Sequence, residues 1–312
     1  MTPDRLPGIV DQQAARPRLR LGVCPDQWGV WFAEDDRQIA WQQALDEMAW
    51  AGFRYLEIGP YGYLPTDPTR LSEQLDRRGM IAVAGTVWAR LHDADAWPRT
   101  EEAIRAVAGL LAAVGAEVLV YLPTLYRDDK TGAPTEPRSL DGPAWREYVR
   151  GLNRLGPLVR QDYGLRLVLH PHADTHIATT ADVERVFAET DPGDLGLCLD
   201  TGHVAYGGGD PLALIDRYPD RIDYVHLKAM DPAVVAHAHA EDWPFGEAVA
   251  RGCSVAPPAG TPDLGPVLEA LSALDRDLYV ICEQDLYPCD PAVPLPNAIA
   301  IRDHLATLGL RP

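Results

Sequence analysis

LGLCLDTGHVAYGGGDPLALIDRYPDRIDYVHLK, residues 195–228, holds two short apolar runs about one strand–helix–strand repeat apart. LGLCLD ends at Asp200 and runs straight into Thr201-Gly202-His203, while IDYVHLK carries His226 and Lys228. A strand buried on both faces reads as a nearly unbroken apolar run. A carboxylate and an imidazole at the C-terminal tips of two such strands point into the mouth of a parallel barrel, where active sites of that architecture lie.

Working outward, the same pattern recurs. Strands are predicted over Arg20–Cys24, Arg54–Ile58, Ile81–Val87, Glu117–Leu122, Arg166–His170, Leu195–Asp200, Ile222–Leu227 and Leu278–Glu283, with starts 27 to 56 residues apart. Helical periodicity fills the gaps, as in Trp41–Ala51, Thr100–Val114, Pro143–Tyr163, Thr180–Glu189 and Leu264–Leu274. Gly52, Gly79, Gly115 and Gly164 follow helices as C-caps do, and Thr180 and Asp182 are the expected N-cap choices for the helix ending near Glu189. Eight alternating strand–helix units predict a parallel sheet closed into a single (β/α)8 TIM barrel over residues 20–312, behind an N-terminal arm at 1–19. The alternative is an open, doubly wound sheet.

Composition narrows the function. The 312 residues carry a formal net charge of −18, with 46 acidic against 28 basic side chains. That field repels phosphate backbones and argues against nucleic acid as a partner. No apolar run approaches the ~20 residues of a membrane span, and the first residues lack the apolar core of a secretory signal. A cytoplasmic protein is expected. Cys24, Cys198, Cys253, Cys282 and Cys289 form no CxxC pair and read as reduced thiols. The glycine run Gly207–Gly209 lacks P-loop spacing and reads as a turn before a helix at Pro211.

Taking strand tips alone, the fifth to eighth strands deliver His170 (with His172 beyond it), Asp200, His226 and Glu283 to one rim. Each has an ordinary reading: Asp200 as a helix cap, His226 as a core histidine, His170 and His172 as loop groups, Glu283 as half of an ion pair. Together they make a mixed nitrogen–oxygen set suited to Mn²⁺, Co²⁺, Fe²⁺ or Zn²⁺ more than to Mg²⁺ or Ca²⁺. Mn²⁺ or Co²⁺ is the expected cofactor, with Zn²⁺, Fe²⁺ or Mg²⁺ as alternatives. His237 and His239, in the long connection Ala229–Asp263, read as surface or lid residues. The other long connection, Tyr121–Trp145, also leaves a strand end and belongs on the same face.

LDTGHVAYGGGDPLALI, RIDYVHLK and VICEQD together resemble the xylose-isomerase-like TIM-barrel superfamily of sugar isomerases, epimerases and dehydratases, from Leu21 to about Leu308. LHPHADT, the EQD ending and FGEAVARGCSVAPPAGTPDLGPVLEAL are most similar to the inosose dehydratase group. The resemblance implies metal ligands at His170, Asp200, His226 and Glu283. It also marks three departures: His170 stands where the superfamily has glutamate, Ala229 makes HLKA of HLKD, and Ala259-Gly260-Thr261 replaces a GDG-like turn. The implied activity is that of a metal-dependent lyase or isomerase working beside the carbonyl of a keto-cyclitol or keto-sugar, a small polyhydroxy ketone, with elimination of water as the leading outcome. Ketose isomerisation or epimerisation, elimination on a 3-keto-glycoside with a partner subunit, and a non-catalytic sugar-binding barrel are the rivals. Homo-oligomerisation stays open. In this scheme Glu283 or His172 is the base and His203 or Lys228 the acid. Trp28, Trp31 and Trp88 are placed to stack on a sugar ring or to pack the rim. Glu57 is placed to accept sugar hydroxyls or to form a structural ion pair.

Overall fold

The computed structural model describes residues 19–128 and 131–312. The expected arm therefore lies outside the described residues, except for Leu19, which opens the first strand. The strands are β1 (Leu19–Val23), β2 (Tyr55–Glu57), β3 (Ile81–Ala89), β4 (Val118–Pro123), β5 (Arg166–Leu169), β6 (Gly196–Asp200), β7 (Ile222–Leu227), β8 (Ala229–Met230), β9 (Ser254–Val255) and β10 (Leu278–Cys282). All but β8 and β9 form a closed parallel barrel, completed where β1 pairs with β10 from Leu19↔Leu278 to Val23↔Cys282. Closure excludes the open doubly wound sheet. β8 and β9 form a short antiparallel ribbon at the base of the long connection after β7.

Alternation along the strands sorts the core in two. Val118 and Val120 of β4, Val168 of β5, Cys198 of β6, Tyr224 of β7 and Ile281 of β10 belong to a cluster inside the barrel. Their neighbours Leu119, Leu167, Leu169, Leu199, Val225 and Val280 face the helices in the larger outer core. Gly22 belongs to the inner set because a Cβ there would sit 2.7 Å from Ile281 Cδ1.

The helices fall close to their sequence positions. Trp41–Trp50, Gly142–Tyr163 and Leu264–Ser272 match within two residues, and Trp97–Ala113 starts earlier, with a proline in its first turn. The helix Thr180–Phe187 corrects one detail. Its N-cap is Thr179, and Asp182 is the third helical residue, accepting from the Thr179 backbone N–H to close a capping box. Gly52, Gly79, Gly115 and Gly164 all have positive φ, as caps of this kind require. The five cysteines are free thiols. Among the described residues no helix is long and apolar enough to cross a membrane.

Candidate active site

Continuing the inner face of the barrel by two-residue steps leads directly to the site. Val168 is followed by His170, Cys198 by Asp200, Tyr224 by His226 and then Lys228, and Ile281 by Glu283 and then Asp285. These six side chains are all buried, Asp200 completely. The mouth of the barrel thus swaps an apolar lining for carboxylates, imidazoles and one ammonium within a single layer.

Three of them share one arrangement: one polar atom is anchored by the protein and the other is buried with no hydrogen bond of good geometry. Asp200 Oδ1 accepts from the His203 backbone N–H (2.7 Å), capping the helix Thr201–Tyr206, while Oδ2 is left over. The helix cap thus uses one oxygen of Asp200 and leaves the other for a ligand. Glu283 Oε1 accepts from Lys228 Nζ (2.9 Å), and Oε2 is left over. His226 Nε2 lies 3.0 Å from Glu57 Oε2, and Nδ1 is left over. The leftover atoms converge, since Asp200, His226 and Glu283 can each offer an atom within 4.8 Å of the others. His226 Nδ1 stands 2.7 Å from Glu283 Oε2 and 3.6 Å from Asp200 Oδ2. His170 Nε2 adds a contact of 3.3 Å to the same Asp200 oxygen. Buried carboxylate oxygens this close together need positive charge among them, which either a proton on His226, whose pKa is raised well above its usual value, or a bound cation supplies. The donor chemistry fits a divalent transition-type ion, and His170, Asp200, His226 and Glu283 are the residues suited to hold it.

Lys228 organises the rest. Its Nζ lies 2.9 Å from Glu283 Oε1, 2.9 Å from Asp285 Oδ2 and 3.4 Å from Asp200 Oδ2. Its stem crosses the start of the helix Thr201–Tyr206, and a Cβ on Gly202 would approach Lys228 Cγ to 2.6 Å. That is the local reason for glycine between Thr201 and His203. Burial would lower the Lys228 pKa, but Asp200, Asp285 and Glu283 outweigh it and hold the ammonium well above its usual range. Asp200 and Glu283 are conversely held low: burial opposes ionisation, and Lys228 with the neighbouring imidazoles overcomes it. Asp285 is pushed up to about 6, by burial first.

His172 and His203 lie against each other, ring centroids 3.9 Å apart and planes tilted by 40°, on the wall of the cup. Burial, followed by His170, pushes His172 down to about 3, so the ring is neutral near pH 7. Its Nδ1 donates to Ala173 O (2.7 Å), which leaves the lone pair on Nε2. Burial, then His172 and Lys228, also depresses His203. The Ala173 N–H donates to His203 Nδ1 (3.3 Å), which puts the His203 proton on Nε2, on the side of Lys228 Nζ 3.4 Å away.

The aromatic expectations separate. Trp88 is 42% exposed and meets His172 edge-on at 5.2 Å, on the open rim. Trp28 is 1% exposed, lies in the outer core and donates its indole N–H to Glu47 (2.8 Å), so it packs the barrel and does not face a ligand. The 3₁₀ turn Pro25–Trp28 aims it there. Glu57 is 1% exposed and sits behind His226, its Oε2 3.0 Å from His226 Nε2. His237 and His239 are exposed on the helix Pro232–Ala240. Phe245, from the helix Phe245–Ala250 in the long connection, was not singled out by sequence. It packs on His203 (4.9 Å) and His172 (5.3 Å), with Trp31 stacked beyond it (6.3 Å). Asp285 was visible only as the end of EQD; its role on Lys228 needed the fold.

Known proteins agree with the barrel fold. The xylose isomerase-like TIM barrel family matches residues 45–306. An inosose dehydratase of Lacticaseibacillus casei is 30% identical over 302 residues, covering 94% of this chain and 98% of the relative. One from Geobacillus thermodenitrificans is 31% identical over 304 residues, covering 94% and 98%. Among solved structures, the IolI protein with a binding zinc atom superposes with a TM-score of 0.70 at 16% identity, over 93% of this chain and 98% of IolI, a likeness of fold. The chain belongs to the xylose isomerase-like TIM barrel family, and across most of its length it is similar to the inosose dehydratases.

Proposed function

We propose that this protein is a divalent-metal-dependent dehydratase of a keto-cyclitol or closely related keto-sugar, of the inosose dehydratase type. The observation that carries the reading is the set of leftover atoms, Asp200 Oδ2, His226 Nδ1 and Glu283 Oε2, each on an anchored side chain, with His226 Nδ1 3.6 Å from the first and 2.7 Å from the last. Relatives named inosose dehydratase and the zinc atom in IolI support it. Mn²⁺ or Co²⁺ is the ion we favour on a site of two imidazoles and two carboxylates.

The bound ion supplies Lewis-acid polarisation of a substrate carbonyl and so acidifies the neighbouring C–H. The chain's own residues do the rest. His172, neutral and with its lone pair on Nε2, takes the proton. Glu283, the alternative base, has one oxygen tied to Lys228 and the other turned to the cation site. His203 presents an N–H proton on Nε2 that a departing hydroxyl oxygen can accept, while Lys228, the alternative acid, has its ammonium held among Asp200, Glu283 and Asp285. Trp88 and Phe245 offer apolar surface to a ring and keep water off the cup.

Incubating metal-loaded protein with 2-keto-myo-inositol should generate a conjugated enedione absorbance. An isomeric sugar without the chromophore would instead select the isomerase or epimerase reading. His172→Gln should lower kcat by about 10²-fold while bound metal, read by elemental analysis, stays at the wild-type level. An unchanged rate would remove His172 from the reaction. Glu57→Gln should weaken the ion by about 10- to 100-fold through its hold on His226, as outer partners of ligating histidines do. Competitive chelator titration measures this, and an unaltered dissociation constant would count against it.

A further inference from the structure

Three other side chains meet on the rim, each from a different connection. His92 follows β3, Glu136 lies between β4 and the helix Gly142–Tyr163, and His176 follows β5. His92 Nε2 is 2.9 Å from Glu136 Oε2, and His176 Nε2 is 3.5 Å from Glu136 Oε1. The two rings meet edge to face at 4.7 Å. Each residue offers a ligand atom within 4.8 Å of the others. None of the three belongs to the cup of His170, Asp200, His226 and Glu283.

With both imidazoles neutral, protons and hydrogen bonds do not complete this cluster. His176 has a side chain only 1% exposed, and its Nδ1 donates to the Arg138 carbonyl (2.8 Å). The lone pair is therefore on Nε2, which is buried, turned toward Glu136 Oε1 and without a hydrogen bond. Glu136 Oε1 is likewise a buried acceptor with no hydrogen bond of good geometry. A proton on His92 Nε2 settles the contact with Oε2 and leaves those two acceptors facing each other. Arg90 sits 3.3 Å from both carboxylate oxygens, with 40% of its side chain exposed, and neutralises Glu136 without reaching the His176 problem. The Nδ1-to-carbonyl bond of His176 is the outer contact that metal-binding histidines make.

We propose that His92, Glu136 and His176 form a second metal site that takes a zinc ion, separate from the catalytic cup. Two imidazoles and one carboxylate, with water in the fourth position, are an ordinary zinc shell. The ion ties the connections after β3, β4 and β5 together on one side of the barrel mouth, next to Trp88 and Arg90. This site stands on its own three residues and does not depend on the reading of the cup.

The test is a stoichiometric titration of the chelator-stripped full chain with Zn²⁺, read by calorimetry and elemental analysis. Wild type should bind two equivalents, His176→Gln one, and Asp200→Asn one. Wild type binding one equivalent, lost in Asp200→Asn and kept in His176→Gln, overturns the second site. One equivalent lost in His176→Gln and kept in Asp200→Asn supports the second site and overturns the reading of the cup. No bound zinc in wild type overturns both. Arg90→Met supplies an arm that misfolding cannot mimic, because removing the competing guanidinium should tighten the second equivalent by roughly fivefold. Unchanged or weaker binding in that variant overturns the proposal.

Discussion

Asp200→Asn is expected to leave the barrel folded and to cut turnover by about 10⁴-fold, with bound Mn²⁺ or Co²⁺ falling below about a tenth of an equivalent. The two effects separate because the two oxygens of Asp200 have separate tasks. Oδ1 caps the helix Thr201–Tyr206 through the His203 N–H, and an asparagine Oδ1 accepts that bond equally well. Oδ2 faces His170, His226 and Lys228, and there the substitution puts an uncharged NH₂ group where the cation site needs a lone pair. Loss of Lewis-acid assistance costs several kcal/mol of barrier, at 1.36 kcal/mol per decade of rate. Asp200→Ala should be as inactive and less stable by about a further 1 kcal/mol, the worth of a lost N-cap. Comparing the two variants by denaturant midpoint and by metal content checks both halves. An Asp200→Asn enzyme with a full equivalent of metal and near-native turnover would end the metal-dependent reading.

How far the sequence carries this site follows from the period of a strand. Once β6 and β7 are recognised, the two-residue step puts Cys198 and Asp200 on one face and Tyr224, His226 and Lys228 on another, both inward. His170 and Glu283 follow from the same rule applied to β5 and β10. That much needs only local pattern. What stays hidden depends on contacts across the barrel. Glu57 and His226 are 169 residues apart, and nothing around Glu57 names its partner. Trp28 and Trp88 look alike as tryptophans near strand ends. A 3₁₀ turn sends the first into the core, while the second lies near the end of β3 on the open rim, edge-on to His172. Phe245 reaches the histidine wall from the long connection after β7, where residue type alone does not fix direction. His92, Glu136 and His176 carry no mutual spacing signal, because three separate connections bring them together.

Lys228→Met tests the other half of the cup's electrostatics. With metal stripped, it should destabilise the chain by about 3–5 kcal/mol, the usual effect of removing one partner from a buried ion network. Methionine is close to the lysine stem in volume and can follow the same path past Gly202, so packing changes little. The charge changes a great deal. Glu283 Oε1 and Asp285 Oδ2 each lose a cation at 2.9 Å, and Asp200 Oδ2 loses one at 3.4 Å. Asp200 and Glu283, which Lys228 helps hold ionised, then lie buried beside Asp285 with only the imidazoles of His170, His203 and His226 to offset them. A divalent ion at the cup restores positive charge beside two of these three carboxylates. Added Mn²⁺ should therefore raise the unfolding free energy of the variant by more than it raises that of wild type, where Lys228 already neutralises the same groups. Denaturant midpoints with and without Mn²⁺, for both proteins, give the four numbers required. Equal metal-induced stabilisation in the two proteins would mean that the ion and Lys228 do not share carboxylates, and the ligand set of Asp200 and Glu283 would have to be abandoned.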